Sequence, residues 1–210
     1  MNDPLVLIAA LVIAPFFYRM WWKDYQAQLA GEELPNALPG ATPVAPWVVI
    51  MAVVGALVIL AVEVLGEYRL GVVEEQSEMA LLFCAVSVLV APLLEEMIFR
   101  GFLYYDKTKA TLVASIIVIS VLFAVGHGHI WEFDFEGWNI FAGTFKWTFT
   151  PKGIFSVSIL FLNSLWFYAV RFLPVNPQRS LLPCVAAHMA SNLGVGVMKA
   201  FQGKIVLAEG

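Results

Sequence analysis

Six long runs of hydrophobic residues, separated by polar or Gly- and Pro-containing stretches, organise the chain. Most of them approach the roughly 20 residues that an α-helix needs to cross the hydrocarbon core of a bilayer. The pattern therefore predicts an all-α, polytopic integral membrane bundle of about six transmembrane helices. The runs cover approximately residues 4–18, 47–65, 79–105, 110–130, 154–173 and 181–200.

Three segments between these runs have a different character. Residues 24–46 are polar and rich in Gly and Pro, and charged residues mark a second stretch between residues 67 and 78, so we expect both to be exposed. Residues 131–153 carry three Trp and five Phe among acidic and Gly residues. That composition is typical of an interfacial belt or a short re-entrant hairpin.

Composition supports the membrane prediction. Hydrophobic residues make up 60% of the 210-residue chain and charged residues 13%, whereas soluble domains have roughly 45–50% and about 25%. The net charge of −4 offers no basic patch for a nucleic-acid backbone, so we expect no nucleic-acid partner. Cys84 and Cys184 both lie in apolar runs, and we expect small buried side chains there, with neither a disulfide nor a zinc knuckle.

Charge on the loops indicates the orientation of the first helix. The tail before it has no Lys or Arg, whereas Arg19 and Lys23 follow it. Basic residues favour the cytoplasmic side, and the first helix usually dominates, so the pattern favours an outside N-terminus. The opposite orientation stays open, because the remaining basic residues divide almost evenly between the two sides.

The third apolar run contains charged residues well inside it. Ionisable groups inside a membrane segment are costly and are functional candidates by default. Glu96 and Arg100 are four residues apart, so they share one helix face and can pair. Glu95 is rotated about 100° away from that partner. Pro92 lies one turn earlier, where it can open the helix backbone.

Two later runs contribute histidines. His127 lies four residues after Phe123, on the same helix face, while His129 points to the opposite side unless the helix ends at Gly128. We expect a packing role for His129. On the sixth run His188 and Asn192 are four residues apart among small residues, which suit close helix packing.

Depth in the bilayer tests whether these groups can meet. With a rise of ~1.5 Å per residue, Glu95 lies ~16 Å, His188 ~11 Å and His127 ~25 Å from the same membrane face. Glu95 and His188 are therefore compatible, whereas His127 is too deep unless its helix tilts or starts later. Convergence also requires the third helix to continue through the sequence FRGFLYY, residues 99–105.

The chemistry of such a cluster points to amide hydrolysis without a covalent nucleophile. A carboxylate beside imidazoles can hold and deprotonate a water molecule. A His and an Asn can donate hydrogen bonds to a developing oxyanion. The Glu96–Arg100 pair would then hold the site in position. Two His and one carboxylate are also a catalytic zinc ligand set, so the residues leave open a reaction without a cofactor and a zinc-dependent one.

In their order and their placement within apolar segments, these motifs resemble those of the CAAX protease and bacteriocin-processing family (CPBP, or Abi) of intramembrane proteases, in particular the small bacterial CAAX prenyl protease-related type. The resemblance covers residues 79–200. The matching motifs are EEMIFR (residues 95–100), FAVGH (residues 123–127) and HMASN (residues 188–192).

The resemblance implies an intramembrane endopeptidase that acts on a membrane-associated protein or peptide. By this analogy Glu95 activates the water and His127 helps to hold it, while His188 and Asn192 form the oxyanion hole. It further implies a multi-pass protein of the inner (plasma) membrane. We expect two N-terminal helices over residues 1–78 and a catalytic core over residues 79–210.

The chain departs from the family in its small size and in the aromatic insert at residues 131–153, so the resemblance does not imply a prenylated substrate. We hypothesise that this insert is a lid or gating hairpin beside His127. Two other functions stay open: a non-enzymatic immunity or scaffold protein that keeps the cluster for packing, and an ion-coupled transporter. No inverted repeat or pair of broken helices favours the transporter.

Overall fold

The computed structural model describes residues 4–32, 34–136 and 139–207, and it is dominated by helices. All six predicted segments are helical, and the third divides into two α-helices and a π-helix. The α-helices are α1 (Pro4–Leu29), α2 (Pro46–Leu70), α3 (Leu81–Leu89), α4 (Ala91–Glu96), α5 (Lys109–Gly126), α6 (Pro151–Phe172) and α7 (Leu182–Phe201). The π-helix covers Met97–Phe102, and a 3₁₀ turn covers Val73–Glu75.

Local sequence signals define the helix ends. Prolines occupy the first turns of α2, α6 and α7, where the missing amide hydrogen costs nothing. Thr108 and Thr150 cap α5 and α6 by accepting hydrogen bonds from backbone amides in the first turn. Gly71 ends α2 in the left-handed region at φ 70°, a conformation that glycine adopts without steric cost.

Length and hydropathy identify α2, α5 and α6 as candidate membrane spans within the described residues. The third predicted segment adds a fourth if its two parts form one span, with a bend of 41° between residues 81–89 and 91–102. The bend lies at Val90, just before Pro92 in the first turn of α4, as the proline predicted. That all six segments cross the bilayer stays a prediction.

Convergence of the site residues was expected to require a third helix that continues through residues 99–105. In the structure the helix does not continue that far. It changes to a π-helix at Met97 and ends at Phe102, before Leu103. The hydroxyl oxygen of Tyr168 lies 2.5 Å from the carbonyl oxygen of Phe99 and 2.9 Å from that of Leu103. This contact from α6 offers a partner to the carbonyl groups that the widened helix end leaves without one.

The first two helices pack closely on the rest of the bundle. Ala52 and Ala56 of α2 are fully buried, and the indole nitrogen of Trp166 on α6 donates a hydrogen bond to the carbonyl oxygen of Ala52 at 2.8 Å. A Cβ atom at Gly55 would collide with the Trp166 ring. Small residues therefore let α2 approach α6 at short range.

Part of the stretch after the second apolar run is buried, contrary to expectation. Helix α2 continues to Leu70, and Glu67 is only 3% exposed. Its carboxylate hydrogen bonds with the ammonium group of Lys152 at the start of α6 and with the side-chain amide of Gln76 at 2.5 Å. This buried pairing explains why a charged residue near the helix end is not solvated.

The aromatic segment forms strands, which the all-α prediction did not include. Strands β2 (Trp131–Glu136) and β3 (Asn139–Trp147) pair antiparallel as a hairpin, and residues 151–153 already belong to α6. A second, shorter pair is parallel and joins β1 (Met79–Ala80) to β4 (Ile205–Val206). The hairpin leaves the bundle between α5 and α6, and the fold remains a helical bundle.

Candidate active site

A buried ion pair lies at the centre of the bundle. Glu96 and Arg100 are both 0% exposed, and a guanidinium nitrogen lies 3.2 Å from the Glu96 carboxylate. The predicted pairing is therefore present, although the backbone between the two residues is π-helical. In such an environment an unpaired charge would be strongly unfavourable, so the pairing offsets part of the cost of burying the two side chains.

Two serines that the sequence analysis did not single out hold Arg100 from the other side. The guanidinium group donates to the hydroxyl of Ser164 on α6 at 2.6 Å. Ser164 in turn donates to the hydroxyl of Ser120 on α5 at 2.9 Å. Both serines are fully buried. In the sequence, Ser120 and Ser164 are marked only as polar residues within apolar runs.

Aromatic rings enclose the guanidinium group. Its central carbon lies 4.3 Å from the centre of the Phe123 ring, 5.1 Å from that of Tyr168 and 5.3 Å from that of Phe167. Cation–π attraction of this kind is stronger in a desolvated site than at a surface. Arg100 thus has both polar and aromatic partners from α5 and α6, which fix its position.

His188 on α7 lies between the two carboxylates. Its Nδ1 atom lies 2.8 Å from Glu96 Oε1, and its Nε2 atom lies 3.9 Å from Glu95 Oε2. The imidazole is nearly parallel to the Phe167 ring at a centroid distance of 5.2 Å. The hydrogen bond to Glu96 was not predicted, because it joins residues 92 positions apart.

Glu95 differs from Glu96 in its surroundings. The Glu95 side chain is 31% exposed, whereas the Glu96 side chain is fully buried. The Oε2 atoms of both carboxylates are buried without a hydrogen-bond partner, and that of Glu95 faces His188 Nε2 at 3.9 Å. The more accessible of the two carboxylates therefore has free acceptor capacity.

His127 lies at the end of α5, which stops at Gly126, with Gly128 at φ 72°. The helix thus ends just before His127, and the side chain of His129 is exposed instead of packed. His127 Nδ1 lies 2.7 Å from the carbonyl oxygen of Phe123. Because a carbonyl oxygen only accepts, Nδ1 carries a proton, and in the neutral imidazole Nε2 is then the acceptor.

Phe123 connects His127 to the rest of the cluster. Its ring centre lies 4.6 Å from that of His127 and 6.2 Å from that of His188. In the described part of the chain no direct hydrogen bond joins the two imidazoles. The depth estimate placed His127 too far from Glu95 and His188. It is only partly right, because the Phe123 ring lies between His127 and His188.

Asn192 is held by a different helix. Its side-chain amide donates to the carbonyl oxygen of Ser87 on α3 at 2.7 Å. Asn192 therefore connects α7 to α3. The amide has a second N–H group, which keeps one donor available next to the site.

The donor atoms do not fit a zinc site. Among the described residues no three His, Cys, Asp or Glu side chains converge closely enough to hold a metal ion. His188 contributes one ring nitrogen to the Glu96 carboxylate, and His127 has no direct contact with either carboxylate.

Comparison with known protein families agrees with this geometry. The model of the type II CAAX prenyl endopeptidase Rce1-like family matches residues 77–194, which include all three motifs. The chain belongs to this family. No curated protein and no solved structure matches the chain. Members of the Rce1-like family are proteases, so this Rce1-like protein is a membrane protease whose substrate is a protein or peptide in a membrane.

Proposed function

We propose that this Rce1-like protein hydrolyses a peptide bond of a membrane-associated protein with water that Glu95 activates. The observation that carries the proposal is the position of His188, which contacts buried Glu96 through one ring nitrogen and faces the more accessible Glu95 with the other. The side chain at position 95 has the free acceptor oxygen that a general base requires.

The proposed reaction uses His188 with protons on both ring nitrogens and Glu95 as a carboxylate. In this state Nδ1–H donates to Glu96 at 2.8 Å and Nε2–H faces Glu95 Oε2 at 3.9 Å. A carboxylate at position 95 can then accept a proton from water.

The water is held from two sides in this proposal. His127 has its Nδ1 proton on the Phe123 carbonyl oxygen, so its Nε2 atom accepts a hydrogen bond from the water. Glu95 accepts the other water proton. Both interactions leave a lone pair of the water oxygen free to attack a carbonyl carbon.

The reaction then proceeds without a covalent enzyme intermediate. The water oxygen bonds to the carbonyl carbon while its proton moves to Glu95. His188 Nε2–H and the second N–H group of the Asn192 side chain donate to the developing oxyanion. Glu95 then delivers its proton to the amine nitrogen as the carbon–nitrogen bond breaks.

Glu96 and Arg100 support this site without touching the substrate. The Glu96 carboxylate accepts a hydrogen bond from His188 Nδ1–H, which orients the ring toward Glu95. Arg100, fixed by Ser164 and the surrounding rings, holds Glu96 in position through its own hydrogen bond to the carboxylate. The family membership favours this enzymatic function over the scaffold and transporter alternatives.

For the substrate we propose a protein segment anchored at the inner (plasma) membrane. The family description names a CAAX prenyl endopeptidase, so a prenylated peptide ending in a CAAX sequence is one probe. The same peptide without its prenyl group is the matched probe. Cleavage of both would indicate recognition of the peptide, and cleavage of the first alone would indicate recognition of the lipid.

The proposal is tested by mapping new protein N-termini in membranes from cells that carry the native chain, lack it, or are complemented with it. We expect a set of N-termini that disappears with the chain and returns on complementation. Identical N-termini in all three membranes would contradict the protease function and favour the scaffold alternative.

Chelation distinguishes the proposed reaction from a zinc-dependent one. We expect 1,10-phenanthroline to leave the cleavage rate of the reconstituted protein unchanged, because the donor atoms do not converge on a metal position. The measurement is the initial rate before and after chelation. Loss of activity that added Zn²⁺ restores would favour the zinc-dependent alternative instead.

A further inference from the structure

The hairpin β2–β3 has two chemically different faces. Directly paired residues of an antiparallel ladder share a face, and successive residues alternate between faces. On one face Trp131 pairs with Trp147, and Phe133 pairs with Phe145. The opposite face carries polar pairs, Glu132 with Lys146 and Asp134 with Thr144.

The aromatic face is open to the surroundings, although its rings contact one another. Phe145 and Trp147 are 49% and 55% exposed, and Phe149, just beyond the strand, is 64% exposed. The ring centre of Trp147 lies 5.1 Å from that of Phe145 and 5.6 Å from that of Phe149. Few soluble surfaces carry such a contiguous aromatic patch without a partner.

The hairpin base fixes the direction in which this face points. The indole nitrogen of Trp131 donates to the carbonyl oxygen of Val125, in the last turn of α5, at 2.7 Å. The aromatic face is therefore the one that folds back toward the end of a candidate membrane span. The polar face, with its exposed ion pair between Asp134 and Lys146, points away from that helix.

Apolar surface continues from the hairpin along the neighbouring helices. Val121 on α5 and Leu162 on α6 are 45% and 46% exposed. Together with Val125 they line an apolar crevice of about 340 Å³ between the two helices. Trp131 donates its hydrogen bond to Val125, which is one of the residues that line this crevice. The aromatic face of the hairpin therefore adjoins this outer surface of the bundle.

We propose that the aromatic face of the hairpin rests in the interfacial layer of the bilayer, with lipid headgroups and upper acyl chains as its partner. Trp and other amphipathic aromatic side chains favour this layer. The separation of charge supports lipid as the occupant, because Glu132, Asp134 and Lys146 lie on the opposite face of the ladder. The proposal depends on the hairpin geometry and not on the role of Glu95.

Adjacent residues on opposite faces provide the test. Lys146→Cys and Trp147→Cys variants are made in a Cys84→Ala background, and the fully buried Cys184 is kept. Each is labelled with a nitroxide and reconstituted in phosphatidylcholine vesicles. Collision rates with oxygen, which concentrates in lipid, and with a water-soluble nickel chelate are measured by electron paramagnetic resonance.

We expect the ratio of oxygen to nickel collisions at position 147 to exceed that at position 146 by about fivefold. Thr144→Cys and Phe145→Cys form a second matched pair in case a label at 147 disturbs the hairpin, and the same contrast is expected. Equal, water-like ratios on both faces would overturn the proposal. Low collision rates with both reagents on the aromatic face would also overturn it, since they would indicate a covering peptide or second copy.

Discussion

Replacing Glu95 with Gln is expected to lower the rate of peptide-bond cleavage by about 10³-fold, since a positioned general base contributes 10²–10⁴-fold. The amide has nearly the same size as the carboxylate but cannot take a proton from water. The fold should tolerate the change, because the side chain is 31% exposed and its Oε2 atom has no hydrogen-bond partner to lose. The measurement is the initial cleavage rate of the purified variant in vesicles.

Two variants control for the chemistry of this substitution. Glu74→Gln makes the same change at an exposed residue of the 3₁₀ turn, and its cleavage rate should equal that of the unmodified protein. Glu95→Asp keeps a carboxylate at the site and should recover part of the activity. Helical circular dichroism and the thermal midpoint should be the same for all three variants.

Full activity of the Glu95→Gln variant would show that another group activates the water. Loss of activity with a lowered thermal midpoint would instead indicate a structural role. The Glu95→Asp variant separates these cases, because partial recovery requires a carboxylate and not merely a residue of the right size.

The helical bundle was predictable because hydrophobicity alone determines which segments leave water. The charged residues of the third run were predictable candidates for the same reason, since a membrane does not tolerate Glu96 without Arg100. Spacing of four residues also predicted their contact correctly. These inferences all rest on the local sequence and on the free energy of moving side chains from water into a membrane.

Interactions between distant segments were not predictable in this way. The hydrogen bond from His188 to Glu96 depends on how α7 is rotated against α4, and the spacing of His188 and Asn192 says nothing about that rotation. The π-helix is in contact with Tyr168 of α6, a partner that its own sequence does not reveal. Aromatic composition indicated an interfacial belt or a short re-entrant hairpin at residues 131–153 and missed the strands, although aromatic and acidic residues alternate strictly over residues 131–136, as in a half-buried strand. That alternation alone does not specify the register that pairs Trp131 with Trp147.

Replacing Arg100 with Met is expected to lower the free energy of unfolding by about 3–5 kcal/mol, the typical cost of removing one partner from a buried ion pair. Methionine fills similar volume among the Phe123 and Phe167 rings, so the loss of charge dominates over the loss of packing. Glu96 would lose its guanidinium partner and keep only its contact with His188. The measurement is denaturant unfolding in detergent micelles, followed by circular dichroism.

The exposed pair of Arg179 and Asp106 is the matched control. Their side chains are 46% and 41% exposed and 2.7 Å apart, and the hydrogen bond that Arg179 donates to the Asp106 carboxylate raises the pKa of the Arg179 guanidinium. Arg179→Met should cost at most about 1 kcal/mol, as surface ion pairs do. Equal costs for Arg179→Met and Arg100→Met would contradict a special role of burial in the Glu96–Arg100 pair.

A double variant tests whether the Arg100→Met cost comes from the unpaired carboxylate. Adding Glu96→Gln removes the charge that Arg100→Met leaves behind, so the double variant should be more stable than Arg100→Met alone. Such recovery would assign the cost to buried charge. If the two single losses simply add, the cost would come from packing and from the Ser164 hydrogen bond, which would contradict a role of buried charge in the Glu96–Arg100 pair.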